Sequence, residues 1–474
     1  MQLRPYQIAA VEQIEQAFSS GEKAVIYCLP TGGGKTVIFS EIVRRAMVRG
    51  ERCVVLTHRI ELARQTAARF KAAGLKTGIF DSEAKSFPST PATVAMWQTV
   101  HARCKNTPPP HFGEFDLVVF DEAHRAAAES ASQTINAFKP KKLLGVTATP
   151  QRADGKGLKF LFNRLILGPT VKELIAEGHL SPYRCYAPAE LVNRAALRVA
   201  AGDFVQSEAA ESAVKNMAKL IENALKYFPG EKTAVVFCAD VEHAERSAAA
   251  FRQKGVAAEA VHGQTEPSRR SAALKLLAEK KLKFIACCDV LTEGVDVPNV
   301  DGVVMARPTK SIVLYLQQVG RCLRPSPEKE AAVILDLVGN VYEFGLPCDD
   351  REWSLEPDPK KKKNQSRIET VKRCPQCFSV VEKAASACDE CGCEFERRAK
   401  NIREKDMTIK EINSFTVNSD AEKAKRALNL PYKDAVKVLD TYASLSIFAK
   451  LKGYKKGWVW YQAKEKGLIV ANGI

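Results

Sequence analysis

The chain has 474 residues, room for about three domains of ordinary size. With 46% hydrophobic residues it can build buried cores, which excludes a chain disordered over most of its length. Lysine and arginine number 71 against 55 acidic residues, a net charge of +16, and residues 351–474 alone carry 26 basic and 17 acidic side chains. That asymmetry points to a polyanionic partner, for which nucleic acid is the usual candidate. No stretch approaches the roughly 18 uncharged apolar residues of a membrane span, and the opening residues carry no signal pattern. A cytoplasmic protein without a membrane partner is expected.

Residues 1–185 alternate short apolar runs with helical patterns. Ala24–Leu29, Cys53–Thr57, Thr93–Met96, Leu117–Phe120 and Leu143–Thr147 read as buried strands of a parallel sheet. Lys35–Arg49 and Ile60–Ala73 read as helices between them. A second alternating block covers 186–345, with a helix over Ser207–Phe228 and strands at Thr233–Cys238, Phe284–Cys288, Gly302–Ala306 and Ala332–Asp336. Two α/β units in series predict tandem domains with a cleft between them. Residues 346–372, with Pro357, Pro359 and the run Lys360–Lys363, read as a polar linker. A cysteine cluster follows at 373–398 and a basic region at 399–474, with helices expected over Asp420–Leu428 and Tyr432–Leu445.

The strand Ala24–Leu29 runs into Pro30-Thr-Gly-Gly-Gly-Lys-Thr36, and a helix pattern begins there. Glycines at 32, 33 and 34 let backbone N–H groups turn onto phosphates, and the helix N-terminus adds its dipole. Lys35 suits the β/γ oxygens and Thr36 suits Mg²⁺. One departure stands out: Leu29 occupies the position where the phosphate-loop pattern has its first glycine. Further on, Leu117–Phe120 ends in Asp121-Glu-Ala-His124. Asp121 can hold Mg²⁺, and Glu122 can orient and deprotonate an attacking water.

Together with Thr147-Ala-Thr-Pro150, these segments resemble a superfamily 2 helicase of the DEAH-box kind. The resemblance implies two tandem RecA-like domains, ATP and Mg²⁺ as cofactors, and an ATP-driven nucleic-acid motor. It extends from about residue 30 to 325. Thr292-Glu-Gly-Val-Asp296 resembles the motif that couples nucleotide to nucleic acid, which places Gly294 and Asp296 at the nucleotide. Gln317-Gln-Val-Gly-Arg-Cys-Leu-Arg324 resembles the arginine-finger motif. Arg321 and Arg324 are expected one helical turn apart, so that both can face the γ-phosphate only when the domains close, and Gln317 lies one further turn back. Leu3-Arg-Pro-Tyr-Gln7 resembles the adenine-recognition segment, with Gln7 and Arg4 at the base and Thr31 in the phosphate loop. His58, Arg59, Gln98, Thr147, Arg152, His262 and Thr292 match positions that in the family contact the sugar–phosphate backbone.

The segment from Thr147 to Gly155, with Arg152 and Asp154, is similar to DNA-acting motors of the XPB, type III restriction and RadD kind. The run Gly168–Pro182 looks most like the RadD group of bacterial repair ATPases. That likeness implies DNA as the track, single-stranded or forked, a role in repair or recombination, and single-strand-binding protein as a partner. An RNA-remodelling ATPase and an ATP-switched binding module remain alternatives at this stage.

Cys374-Pro-Gln-Cys377 and Cys388-Asp-Glu-Cys391, ten residues apart, form two knuckles suited to a closed Zn²⁺ site, with Cys393 spare. The stretch Lys452–Tyr461 interleaves lysines with Tyr454, Trp458, Trp460 and Tyr461. Such a pattern either stacks nucleic-acid bases or packs a β-hairpin.

Overall fold

A computed structural model of the chain describes residues 3–104, 115–151, 157–187, 198–200, 203–206, 208–209, 217–291, 300–356, 371–377, 379–383, 385–395, 423–454, 456–466 and 468. It divides into two compact units, 1–396 and 397–474.

The first sheet contains β1 (Ala24–Cys28), β2 (Cys53–Thr57), β3 (Thr77–Phe80), β4 (Ala92–Met96), β5 (Leu117–Asp121), β6 (Lys142–Thr147) and β7 (Arg164–Leu167). They are ordered β3-β4-β2-β5-β6-β1-β7, all parallel. Central strands such as Val25–Tyr27, Val54–Leu56 and Val118–Phe120 are buried throughout because helices cover both faces. The edge strands β3 and β7 escaped the sequence reading: both are four residues long and half-exposed, so neither shows a continuous apolar run. The order makes β5, β6 and β1 neighbours, so their C-terminal ends share one rim. Register aligns Cys28 with Thr147 and Asp121 with Val146.

The second sheet contains β8 (Tyr183–Tyr186), β11 (Ala234–Phe237), β12 (Ala258–Val261), β13 (Phe284–Cys287), β14 (Gly302–Met305) and β15 (Ala332–Asp336). Its order is β12-β13-β11-β14-β15-β8, again parallel. Between β8 and β11 lies a short hairpin, β9 (Val199–Ala200) with β10 (Asp203–Phe204). Its Asp203 accepts hydrogen bonds from the Thr309 hydroxyl and the Lys310 backbone. The helix expected over Ser207–Phe228 is described as Met217–Tyr227.

Past the second sheet the chain returns to the first domain. Leu355 is buried in that domain's core, and its carbonyl accepts from Leu158 and Lys159 N–H at 2.8 and 3.1 Å. The turn before it is locked by Arg351, whose guanidinium donates to the carbonyls of Phe344, Leu346, Pro347 and Asp349. The cysteine cluster follows, with strands β16 (Val371–Arg373) and β17 (Val380–Glu382). It covers the open edge of β8: Ser379 bridges Tyr186, and Arg184 Nε lies 2.9 Å from Glu390. Capping an edge strand in this way removes a template for unwanted pairing.

The C-terminal unit packs helices Tyr432–Val438, Tyr442–Lys452 and Lys456–Glu465 around Leu439, Leu445, Phe448 and Val459. Two expectations are corrected here. The helix expected to run from Tyr432 to Leu445 stops at Val438 and restarts after Thr441, whose side chain accepts from Ser444 N–H. The hairpin reading of Trp458–Tyr461 fails, because those residues lie in the helix Lys456–Glu465. Alternation over four residues cannot distinguish a strand from a helix whose neighbouring aromatics serve different faces. Among the described residues no helix is long and apolar enough to cross a membrane.

His243 provides a stability test of the second domain. It is fully buried, and its Nδ1 accepts the Ala239 N–H at 3.2 Å, which fixes the neutral ring. Burial pushes its pKa down to about 4, with Asp240 opposing. The unfolded chain therefore takes up this proton first, so stability is complete above pH 6.5 and is lost as pH falls towards 4. Urea unfolding at pH 7.5 and pH 5 should show a loss of about 2 kcal/mol attributable to this group. The loss should be absent from His243→Gln.

Candidate active site

The phosphate loop leaves β1 and enters the helix Lys35–Val48 through Gly34, which caps the helix at φ +88°. An L-residue pays for that left-handed conformation, and a Cβ there would also strike Gln7 Nε2 at 2.6 Å. Leu29 explains itself in place. Its N–H extends the β1 ladder to Thr147 O at 2.9 Å, and its buried side chain lies beneath the loop against Gly33. Lys35 Nζ donates to Leu29 O at 3.3 Å. The loop is thus held by its own lysine.

The N-terminal helix covers this loop. Tyr6 donates its hydroxyl to Gly33 O at 2.6 Å, while Arg4 Nη1 and Gln7 Nε2 each lie 3.4 Å from that hydroxyl oxygen. Gln7 Oε1 accepts the Arg4 N–H at 3.0 Å. The structure therefore brings Arg4, Tyr6 and Gln7 together over the loop. The His179 ring packs 5.1 Å from the Tyr6 ring, a neighbour that no sequence pattern announced.

On the same rim, Asp121 ends β5 and is buried. Burial, with the Glu122 charge adding to it, pushes its carboxyl up to about 7 against the pull of Lys35. A nearby divalent cation would relieve that penalty, as expected of a metal-binding carboxylate. Glu122 takes a left-handed conformation at φ +53° and donates its N–H to Asp121 Oδ1 at 3.0 Å. Such backbone strain in a non-glycine residue is ordinarily kept where geometry serves chemistry. Glu122 Oε2 lies 3.5 Å from His124 Nδ1, which is itself 3.1 Å from Thr147 Oγ1. Thr147, expected at nucleic acid, is fully buried; its hydroxyl donates to Thr149 O. It works inside the domain, joining the acidic pair to the end of β6.

The second domain closes the site. Its helix Ile312–Val319 ends before Gly320, so Arg321 and Arg324 follow in a turn and are not one helical turn apart as expected. The stop permits a close approach: a Cβ on Gly320 would fall 2.4 Å from Thr31 Cβ. Arg324 Cγ lies beside Gly32, and Arg321 is buried. Ser181 fixes this turn from the connector, donating its N–H to Leu323 O at 2.7 Å and its hydroxyl to Arg324 O at 3.1 Å. Among the described residues, neither amide atom of the buried Gln317 finds a hydrogen-bond partner, and neither does the buried Thr31 Oγ1. Orphaned polar groups on both sides of one seam fit a site that receives a polar ligand.

The residues expected at nucleic acid have diverse surroundings. Gln98 Nε2 donates to His58 O at 3.1 Å, placing both at the ends of β2 and β4. Arg59 reaches across the cleft, where Nη1 donates to Val290 O at 3.1 Å and Nη2 to Asp289 O at 2.8 Å. Beside it, Glu61 pairs with Arg270 of the second domain at 2.7 Å. Sequence reasoning missed this pair, since nothing local marks a salt bridge between residues 209 positions apart. His262 Nε2 lies 2.9 Å from Glu245. Arg152, Thr292, Gly294 and Asp296 lie outside the described residues.

In the cysteine cluster, Sγ of Cys374, Cys377, Cys388 and Cys391 all fall within 4.8 Å of one another. Cys374 lies 3.6 Å from Cys391, and Cys377 lies 3.5 Å from Cys388. Four thiolates at about 2.3 Å from a central Zn²⁺ would stand at similar separations. Cys393 is outside the group, its Sγ near Glu394 O.

Comparison with known proteins agrees with this geometry. Residues 1–152 match the family "Type III restriction enzyme, res subunit", and residues 215–326 match "Helicase conserved C-terminal domain". The chain is a superfamily 2 helicase. It is 29% identical over 374 residues to a 51.5 kDa protein of Lactococcus phage, covering 78% of each chain. It is 28% identical over 373 residues to irc3 of Schizosaccharomyces pombe, provisionally named a mitochondrial ATP-dependent helicase, covering 76% of this helicase and 61% of irc3. It is 26% identical to the DNA 3'-5' translocase XPB2 of Sulfurisphaera tokodaii, covering 74% of this helicase and 85% of XPB2. Among solved structures, a fragment of a provisionally named HsdR subunit of a type I restriction enzyme from Vibrio vulnificus superposes with a TM-score of 0.58 at 23% identity, covering 73% of this helicase and 66% of the fragment. The helicase MrfA bound to DNA superposes with a TM-score of 0.53 at 17% identity, covering 71% and 49%. These two likenesses concern the fold.

Proposed function

We propose that this superfamily 2 helicase is an ATP-dependent DNA helicase or translocase, a DNA-stimulated ATPase of the RadD kind serving repair or recombination. The observation that carries the reading is the seam where Gly320 meets Thr31, with the acidic pair on the adjoining strand ends. DNA as the track is supported by the relation to XPB2, which is named a DNA translocase, and by the net charge of +16.

ATP supplies the phosphoanhydride, and a bound Mg²⁺ would supply positive charge to its oxygens. Lys35 exchanges its bond to Leu29 O for the phosphates, and Thr36 with Asp121 holds the metal. Glu122 orients the attacking water and takes its proton. Arg321 and Arg324 neutralise charge from the second domain, so hydrolysis depends on closure. Arg4, Tyr6 and Gln7 hold the base. Glu122, His124 and Thr147 link the state of the nucleotide to the end of β6. Arg59 and the Glu61–Arg270 pair tie closure to a segment expected to touch nucleic acid, so polymer and nucleotide act on one movement.

Cys374, Cys377, Cys388 and Cys391 would hold one structural Zn²⁺, which would fasten the knuckle over the edge of β8. Metal analysis of the purified chain should find about one zinc per molecule. Cys374→Ser with Cys391→Ser should remove it, while a protein without zinc from the start would refute the assignment.

ATP turnover should rise with single-stranded or forked DNA and fall to background in Lys35→Ala. Stimulation by RNA alone would move the track to RNA, and hydrolysis without strand displacement or translocation would make the protein a nucleotide switch.

A further inference from the structure

The C-terminal unit takes no part in the nucleotide chemistry above. Residues 423–468 nonetheless carry eleven lysines and arginines against three acidic residues. Its helix Lys456–Glu465 has two distinct faces. Val459, Gln462 and Ala463 are buried, whereas Gly457, Trp460, Tyr461 and Lys464 are exposed at spacings of three, four and seven residues. Trp460 is 51% exposed and Tyr461 is 56% exposed.

The outward stripe of a packed helix is ordinarily polar, because it stays in water. Packing does not explain these two rings, since Trp458 already fills the aromatic role inside. Its ring lies 5.8 Å from Phe448 and 4.9 Å from Tyr454, and its Nε1–H donates to the Tyr432 hydroxyl at 2.9 Å. Outside, Lys464 Nζ stands 5.0 Å from the centre of the Trp460 ring. One turn earlier the stripe is open, as a Cβ on Gly457 would meet nothing within 4 Å among the described residues.

Exposed aromatic rings beside a cation match the chemistry of single-stranded nucleic acid, whose bases stack while its phosphates are neutralised. An acidic peptide would satisfy the lysines but offers no flat partner for the rings. A duplex keeps its base faces covered. We propose that Gly457, Trp460, Tyr461 and Lys464 form a sequence-tolerant binding site for single-stranded nucleic acid outside the helicase motifs. It is a second hold on the polymer, independent of nucleotide.

The test uses the full chain without ATP and a fluorescein-labelled oligothymidylate, with binding read by anisotropy. Replacing both rings, Trp460→Ala with Tyr461→Ala, should weaken binding about tenfold or more, the usual effect of removing base–aromatic stacking. Polymer-free ATP turnover and the helical circular dichroism signal should be unchanged. Trp460→Phe should retain affinity yet lose the quenching of tryptophan emission that the oligonucleotide causes in the native chain. Undiminished oligothymidylate binding by the double alanine variant overturns the proposal, as does weakened binding of a polyglutamate probe in its place. Because nothing here depends on hydrolysis, failure of the motor reading would be seen separately, in the ATPase assay.

Discussion

A bare backbone meets a side chain where no second side chain fits. Gly320 of the second domain approaches Thr31 of the phosphate loop so closely that a Cβ would overlap it, and the rest of the core is arranged around that approach. The helix before it must end at Val319, so that the turn carrying Arg321 and Arg324 can lie against the loop. Ser181 must hold that turn from the connector. On the proposed mechanism a site divided between two domains gains a switch, because transition-state charge would be neutralised only while they are together.

The first domain supplies its half through sheet order. With β5, β6 and β1 adjacent, the acid pair, the Thr147 turn and the phosphate loop share one rim. This is the usual location of ligands in open parallel sheets. The buried Asp121 carboxyl, pushed up by desolvation, shows that this rim is costly for uncompensated negative charge. Lys35 is the cation that partly compensates it, and it rests meanwhile on Leu29 O. The strap ending at Leu355, together with the Glu61–Arg270 pair, connects the same two domains at other points.

Much of this was readable in the residues, for physical reasons. The buried parallel strands are continuous apolar runs, and phosphate chemistry demands particular residue types at short spacing, so β1, β2, β5, β6 and the motifs at 31–36 and 121–124 could be found from one chain. What escaped depends on distance in sequence. β3 and β7 are short edge strands, while Arg270, Ser181 and His179 matter only because folding brings them to Glu61, the finger turn and Tyr6. Thr147 was misread because a motif gives residue type but not burial. The finger segment was misread as helix because Gly320 acts through a contact in another domain. Trp458 and Trp460 fall in one sequence pattern, although Trp458 packs against Phe448 and Tyr454 and Trp460 lies on the surface.

The central claim is that catalysis requires the second domain's arginines at the phosphate loop. Steady-state ATP turnover of Arg324→Lys, measured beside its affinity for a fluorescent ATP analogue, tests it most directly. The account predicts that turnover falls about a hundredfold or more while nucleotide affinity changes little, as for an arginine finger. Turnover at the native rate with DNA present would contradict it.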